Sequence, residues 1–273
     1  MSDHVDGFYI VDADHTHGGY PKPFTCRSTL ESLGLLSEKI KVIELALPSY
    51  HQLEDNYFRE RHQRNVVSDL FEDDAVYIVS DCDEIIDPRM IPIFVEGAIN
   101  NPDSIMRVSL SWLCGKANLQ VCNEAGTPIT FQSPFVCMKH HVKSRTLSDI
   151  REDIACQRHE MQSLFLNDQN QKIVESGWHF SWLGGRDRIK FKMKSFLHCY
   201  DGQNDIFKTA VGAIPSKEMQ DYLSEYTPQP GSLDPYGRSE YILNSYSEDL
   251  LPPELFNFPH LYSYFFGSSY EKI

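Results

Sequence analysis

The apolar residues of this chain fall in short runs that stop at acidic residues, glycines and prolines. The first run, Phe8-Tyr9-Ile10-Val11, gives way to Asp12-Ala13-Asp14-His15-Thr16-His17-Gly18-Gly19. Four β-prone residues ending in such a stretch predict a buried parallel strand with a loop at its C-terminal end. Pro21 and Pro23 keep the next segment extended. Residues 41–47 predict a second strand, closed by Pro48. Residues 54–71 contain neither Pro nor Gly, and Phe58, Arg61, His62, Asn65 and Val66 share a face at helical spacing, which predicts a helix. Residues 75–79 predict a short apolar strand that runs straight into Ser80-Asp81-Cys82-Asp83-Glu84.

Further along, 88–99 predicts a helix with Pro88 in its first turn, and 104–113 a strand. Ser148 to Arg151 reads as the start of a short helix. In 189–197, Ile189, Phe191, Met193 and Ser195 alternate with Lys190, Lys192 and Lys194, which predicts a half-exposed strand with a basic outer face. The tail from Thr227 is rich in Pro, Gly and Tyr and carries aromatics able to clamp onto the body. Strands alternating with helices over the first 100 residues predict an α/β fold with a mostly parallel central sheet. In such folds the ligand sits at the C-terminal ends of the strands. The expected organisation is one domain over 1–273. Residues 1–100 form the ligand-binding half, 101–226 the half that completes the site, and 227–273 a tail packed on the body.

Composition narrows the classes. Asp plus Glu number 39 against 25 Lys plus Arg, a formal charge of −14. A nucleic-acid binder presents a basic face, so nucleic acid is not expected as a partner. Hydrophobic residues at 41% and charged residues at 23% exclude a disordered or fibrous chain. The seven cysteines are widely spaced without a CxxC pair, which favours free thiols in a reducing compartment over disulfides or a cysteine-built zinc site. The N-terminal residues lack a basic stretch followed by an apolar one, and no window approaches 18 consecutive apolar residues. The chain as it stands is expected to be soluble and cytoplasmic. A Golgi-lumenal location would require an N-terminal membrane anchor.

Asp81 and Asp83 are the most informative residues. They follow an apolar strand, and in extended backbone residues i and i+2 point the same way. The expectation is that the two carboxylates converge while Cys82 points back toward packing. Converging like charges need a cation between them, and Mg²⁺ or Mn²⁺ shared with substrate phosphates is the simple solution. Glu84 adds charge beside the site or holds its loop. The plainer alternative is a solvated acidic turn that caps the following helix. Arg61 and Arg64 are three apart on the preceding predicted helix, able to grip a phosphate or order the acidic loop, or simply to form a charged face with Glu60.

Gly177-Trp178-His179-Phe180-Ser181-Trp182-Leu183-Gly184-Gly185 joins two tryptophans, a histidine and three glycines. Trp stacks on the apolar faces of sugars or bases, so Trp178, His179 and Trp182 are candidate acceptor contacts, with core tryptophans beside a tight turn as the alternative. His198 is either a core histidine or a third metal ligand beside Asp81 and Asp83.

Taken in order, these segments resemble glycosyltransferase family 17. The match runs through Val5-Asp6-Gly7-Phe8-Tyr9-Ile10-Val11-Asp12, Thr16 with Gly19 and Lys22-Pro23, and Arg59-Glu60-Arg61-His62-Gln63-Arg64. It continues through Val79-Ser80-Asp81-Cys82-Asp83-Glu84-Ile85, Thr146-Leu147-Ser148-Asp149-Ile150-Arg151 and Gly177-Trp178-His179-Phe180-Ser181-Trp182. It ends with Ile189-Lys190-Phe191-Lys192, Ser195-Phe196, His198 and Asp234-Pro235-Tyr236-Gly237. The resemblance implies a GT-A-like three-layer α/β sandwich and an inverting transfer of a sugar from UDP-N-acetylglucosamine to a glycan or glycoprotein acceptor. It implies Mn²⁺ or Mg²⁺ on Asp81 and Asp83, and donor contacts from Asp12, Thr16, Arg61, Arg64, Asp81 and Cys82. Two departures stand out. The family's usual preceding strand and helix are not in this chain, and residue 12 is Asp where many relatives have Glu.

An inverting transfer needs a base for the acceptor hydroxyl, and a carboxylate near the Gly184-Gly185 loop is well placed. Asp187 is the preferred candidate, with Asp149 and Glu175 competing and Glu84 a further carboxylate at the site. Two rival readings share some of these residues. A nucleotidyltransferase acting on sugar phosphates would use the same metal pair, but its first strand should lead into a Gly- and Arg-rich loop, and residues 12–19 hold no arginine. A non-catalytic carbohydrate-binding protein would keep the tryptophans and need neither metal nor base.

Overall fold

Two parallel strands open the chain. In the computed structural model, β1 (Phe8–Ala13) pairs with β2 (Ile40–Leu45) from Phe8 opposite Ile40 to Ala13 opposite Leu45. The structure describes residues 2–49, 57–156, 176–195, 225–235, 238–257 and 262–266. Between these strands lies the short α1 (Cys26–Ser32). After them comes α2 (Phe58–Asn65), extended by a 3₁₀ turn over Val66–Leu70. The buried residue of α2 is Arg59, whose guanidinium donates to Pro48 O at 2.8 Å and His17 O at 3.0 Å. Gln63 Nε2 donates to Val11 O at 3.1 Å. This helix therefore docks beside β1 through polar side chains that satisfy loop and strand carbonyls, as buried backbone groups require.

Next come β3 (Val76–Val79), β4 (Glu84–Ile86) and α3 (Ile91–Asn100). β5 (Met106–Arg107), β6 (Leu110–Cys114), β7 (Leu119–Cys122), β8 (Thr130–Phe131) and β9 (Phe135–Met138) follow. The second half contributes α4 (Leu147–Cys156), β10 (Gly177–Ser181), α5 (Gly185–Ser195), β11 (Ile242–Ser245) and α6 (Tyr262–Phe266).

β3, β9 and β5 form an antiparallel sheet. Alternate residues of β9 face opposite ways. Val136 packs with Phe94 and Ala98 of α3, while Phe135 and Cys137 pack with Leu147, Ile150 and Ile154 of α4. This sheet is thus covered by helices on both faces. The larger sheet runs β11-β7-β6-β10-β4, with β8 also on β6. One of its cores gathers Leu113, Trp178, Phe180, Tyr246, Leu251 and Phe266; another gathers Cys114, Val121, Trp182, Ile189 and Leu243. β11 and α6 both come from the tail. Tail carbonyls also accept from the body, Phe265 O from Ala117 N–H at 2.8 Å and Tyr264 O from Gly184 N–H at 3.1 Å.

Three expectations are corrected. The described strands do not form one mostly parallel sheet: β1–β2 and β6–β10 are parallel, and the other described pairs are antiparallel. The strand expected over 104–113 is broken at Val108 and Ser109. Its first part pairs with β9 and its second with β10, so the chain changes sheets there. The strand expected over 189–197 is helical through Ser195 in α5. Ile189 is fully buried while Phe191 is 57% exposed, whereas one face of a strand would have carried both.

Candidate metal centre

The acidic segment turns instead of extending. β3 and β4 belong to different sheets, and Glu84 N–H closes the connection by donating to Asp81 O at 3.0 Å. The carboxylates of Asp81 and Asp83 therefore separate. Asp81 Oδ2 accepts from Arg151 Nη2 at 2.7 Å and Oδ1 from Arg64 Nη2 at 3.3 Å. Asp83 faces the other way, with Oδ1 3.8 Å from His179 Nε2 and Oδ2 3.5 Å from Lys192 Nζ. Cys82 sits at the tip of the turn with its side chain exposed, so the inward orientation expected for it is also corrected.

β10 supplies the other wall. It pairs with β4 so that Gly177 lies opposite Ile86 and His179 opposite Glu84. Phe180 N–H donates to Asp83 O at 2.8 Å, which locks the turn to this strand. Gly177 makes the pairing possible. Its φ is +146°, and a Cβ there would stand 2.1 Å from Ile85 O.

Asp83, Glu84 and His179 form a cluster whose ligand atoms all lie within 4.8 Å of one another, with Glu84 and His179 buried. These residues are able to coordinate a metal ion. His179 Nδ1 is buried and has no hydrogen-bond partner among the described residues. The imidazole is held by its faces instead, 3.8 Å from the Phe131 ring and 6.3 Å from Trp112 between centroids. Burial acts to raise the Asp83 pKa, but the hydrogen bonds and positive charge of His179 and Lys192 outweigh it and hold it at about 2. Asp83 is therefore ionised and ready as a ligand at neutral pH.

Glu84 is differently placed. Burial pushes its pKa up, against the opposing pull of the Arg151 guanidinium. Arg151 Nη2 donates to Glu84 Oε1 at 2.5 Å and Nη1 to Oε2 at 3.1 Å, while Asp81 N–H donates to Oε2 at 2.7 Å. This is a bidentate, charge-assisted pair. The cluster thus fits an ion held by Asp83 and His179, with Glu84 completing the set only where it shares its oxygens with Arg151.

The remaining candidates fall in several places. Arg64 joins the centre, paired with Glu60 at 2.8 Å and with Asp81. Arg61 lies outside it, 3.8 Å from Glu152. Asp12 is buried and structural in its contacts: it accepts from Lys22 Nζ at 2.7 Å, Thr25 N–H at 2.7 Å and Cys26 N–H at 2.8 Å. Burial acts to raise its pKa, and these donors together bring it below the ordinary value. Thr16 closes its own turn, accepting from Tyr20 N–H at 3.1 Å through Oγ1. Asp149 caps α4 reciprocally with Thr146, its Oδ2 accepting from Thr146 N–H at 2.9 Å.

Trp178 and Trp182 are core residues, 8% and 6% exposed, and Trp178 Nε1 donates to Leu250 O at 2.9 Å. They do not form an open stacking platform. Asp187 is exposed on the first turn of α5. His198 and Glu175 lie outside the described residues.

Arg151 and Lys192 are the residues that sequence reasoning missed. Leu147, Ile150 and Ile154 mark the buried stripe of α4, and Arg151, four after Leu147, falls on that stripe. An arginine on the buried face of a helix signals a buried carboxylate partner. Compared with models of protein families, with curated proteins and with solved structures, the chain matches none.

Proposed function

We propose that this protein is a metal-dependent inverting glycosyltransferase, moving N-acetylglucosamine from UDP-N-acetylglucosamine to a hydroxyl of a glycan acceptor. The observation that carries the reading is the Asp83–Glu84–His179 cluster at the turn that ends β3. The ordered sequence resemblance supports it, and so does the placement of cations around the turn. Asp83, one of the two expected aspartates, would hold the ion together with His179, while Asp81 is engaged by Arg64 and Arg151. A bound divalent ion supplies charge for the diphosphate leaving group. An imidazole nitrogen in the set favours Mn²⁺ over Mg²⁺, which prefers oxygen ligands throughout.

Each neighbouring side chain has a part in this reading. Arg151 keeps Glu84 and Asp81 in place, so that the turn presents Asp83 to His179 and Lys192. Arg64 steadies Asp81 from α2. Asp187 remains the preferred base for the acceptor hydroxyl, because it is solvent-accessible on the same helix as Lys192. The two are five positions apart, about 7.5 Å along the axis.

The test is calorimetric titration of the purified protein with UDP-N-acetylglucosamine, UDP-glucose, UDP-galactose and GDP-mannose, first with Mn²⁺ and then with EDTA. Binding of one nucleotide sugar only in the presence of metal is the expected result. Binding of none, with or without metal, overturns the reading and favours a carbohydrate-binding protein without catalysis.

A further inference from the structure

Asp83 presents its two oxygens to different partners. Oδ1 faces the His179 imidazole and Oδ2 faces the Lys192 ammonium. The donor set for a metal therefore uses one oxygen, while a cation already stands at the other. Lys192 is not a loose surface lysine. Its ammonium lies 5.2 Å from the centre of the buried Trp182 ring, and its helix is anchored by the fully buried Ile189 one turn before it. A cation held over an aromatic face keeps its position at low entropic cost. The side chain remains 38% exposed, so the lysine lies at the solvent boundary of the centre.

An ammonium has three N–H donors. One directed at Asp83 leaves the others for an anion on the solvent side. The ligands that would sit on a metal at Asp83 and His179 in this chain are phosphate oxygens, and those need donors beside the ion. We infer that Lys192 is a phosphate-contacting residue of the metal centre, holding Asp83 through one oxygen while donating to the diphosphate of a metal-bound ligand. This rests on the metal-centre reading above and does not depend on which sugar is carried.

A purely structural lysine and a phosphate-contacting lysine give opposite signs. If Lys192 only steadies Asp83, removing it loosens the ligand and weakens Mn²⁺ binding. If it contacts phosphate, removing it takes away a positive charge that repels the ion and a donor that holds the anion.

The experiment uses the full chain and two variants, Lys192→Met and Lys192→Arg, with folding checked by near-ultraviolet circular dichroism. Mn²⁺ is titrated alone, and inorganic pyrophosphate is then titrated in excess Mn²⁺. The expected result for Lys192→Met is Mn²⁺ affinity unchanged or about threefold tighter, from relief of like-charge repulsion. Pyrophosphate affinity is expected to fall about tenfold, the worth of a charge-assisted hydrogen bond. Lys192→Arg is expected to keep most of the pyrophosphate affinity.

Unchanged pyrophosphate binding in Lys192→Met overturns the inference and leaves the metal centre standing. Weakened Mn²⁺ binding with no further loss for pyrophosphate also overturns it, because Lys192 is then only a positioning residue for Asp83. Absence of Mn²⁺ binding in the unaltered protein overturns the inference together with the metal centre itself.

Discussion

Arg151 and Asp81 are joined across 2.7 Å by a hydrogen bond from Nη2 to Oδ2, linking the second turn of α4 to the acidic turn between β3 and β4. The same guanidinium spans both oxygens of Glu84, whose side chain is 1% exposed. Removing it would leave a buried carboxylate without its counter-charge. Arg151→Ala is expected to destabilise the protein by about 3–5 kcal/mol, the usual cost of breaking a buried ion pair. Urea unfolding measures this, and a loss under about 1 kcal/mol would mean that water replaces the guanidinium.

The division of labour between the two aspartates gives a second expectation. Asp83→Asn and His179→Ala should each weaken Mn²⁺ binding by about tenfold or more, since each removes one of a small set of donors. Asp81→Asn should leave Mn²⁺ affinity within a few-fold while lowering stability, because its carboxylate faces Arg64 and Arg151. Equal losses for Asp81 and Asp83 variants would restore the converging pair that the sequence predicts.

Asp12 ties the loop after β1 to the start of α1 through three donors. Asp12→Asn should cost about 1–3 kcal/mol at pH 7, since an amide cannot accept all three bonds. The sign with pH follows from its lowered pKa. A carboxylate held below its ordinary value contributes stability above that value and loses it as pH falls through the folded-state pKa. The difference in stability between the unaltered protein and Asp12→Asn should therefore be constant near neutrality and shrink below about pH 4. A gap that widens in acid would contradict the assignment.

Gly177→Ala should be among the most damaging single substitutions in the chain. The added methyl group would meet Ile85 O and Asp87 N, which are backbone atoms that cannot step aside. A cost of about 3 kcal/mol or more is expected. Thermal unfolding gives the magnitude, and Mn²⁺ titration at low temperature shows whether His179 keeps its place beside Asp83.

Much of the first 100 residues is legible in the sequence because apolar runs between turn residues specify strands directly. β1, β2 and β3 lie where those runs are, and the acidic turn is visible as charge placed after an apolar strand. Two kinds of information are hidden. The first is polar burial: α2 docks through Arg59 and Gln63, which apolar periodicity does not register, and Arg151 shows only as an arginine set on the apolar stripe of α4, with its partners Asp81 and Glu84 unspecified. The second is ambiguous period. In α5 the lysines alternate with apolar residues, yet straight-chain lysines favour a helix, and Ile189 is buried while Phe191 is exposed.

The third donor was open to sequence reasoning. Along β10, Trp178 and Phe180 share one face and His179 and Ser181 the other. That alternation separates the histidine from the face that carries Trp178 and Phe180. The choice of partner strand, β4, is a long-range pairing that no local pattern encodes.

His179 and Glu84 are opposite one another on a two-strand ladder, not on loops. Their spacing is consequently a whole-number property. A slip of one residue between β10 and β4 would bring Trp178 or Phe180 to the position of the imidazole and turn His179 to the far side, away from Asp83 and Glu84. Such a centre tolerates wide variation in the connecting segments but almost none in the count of residues from Gly177 to His179. An inserted or deleted residue there would abolish it outright, without leaving a weakened intermediate.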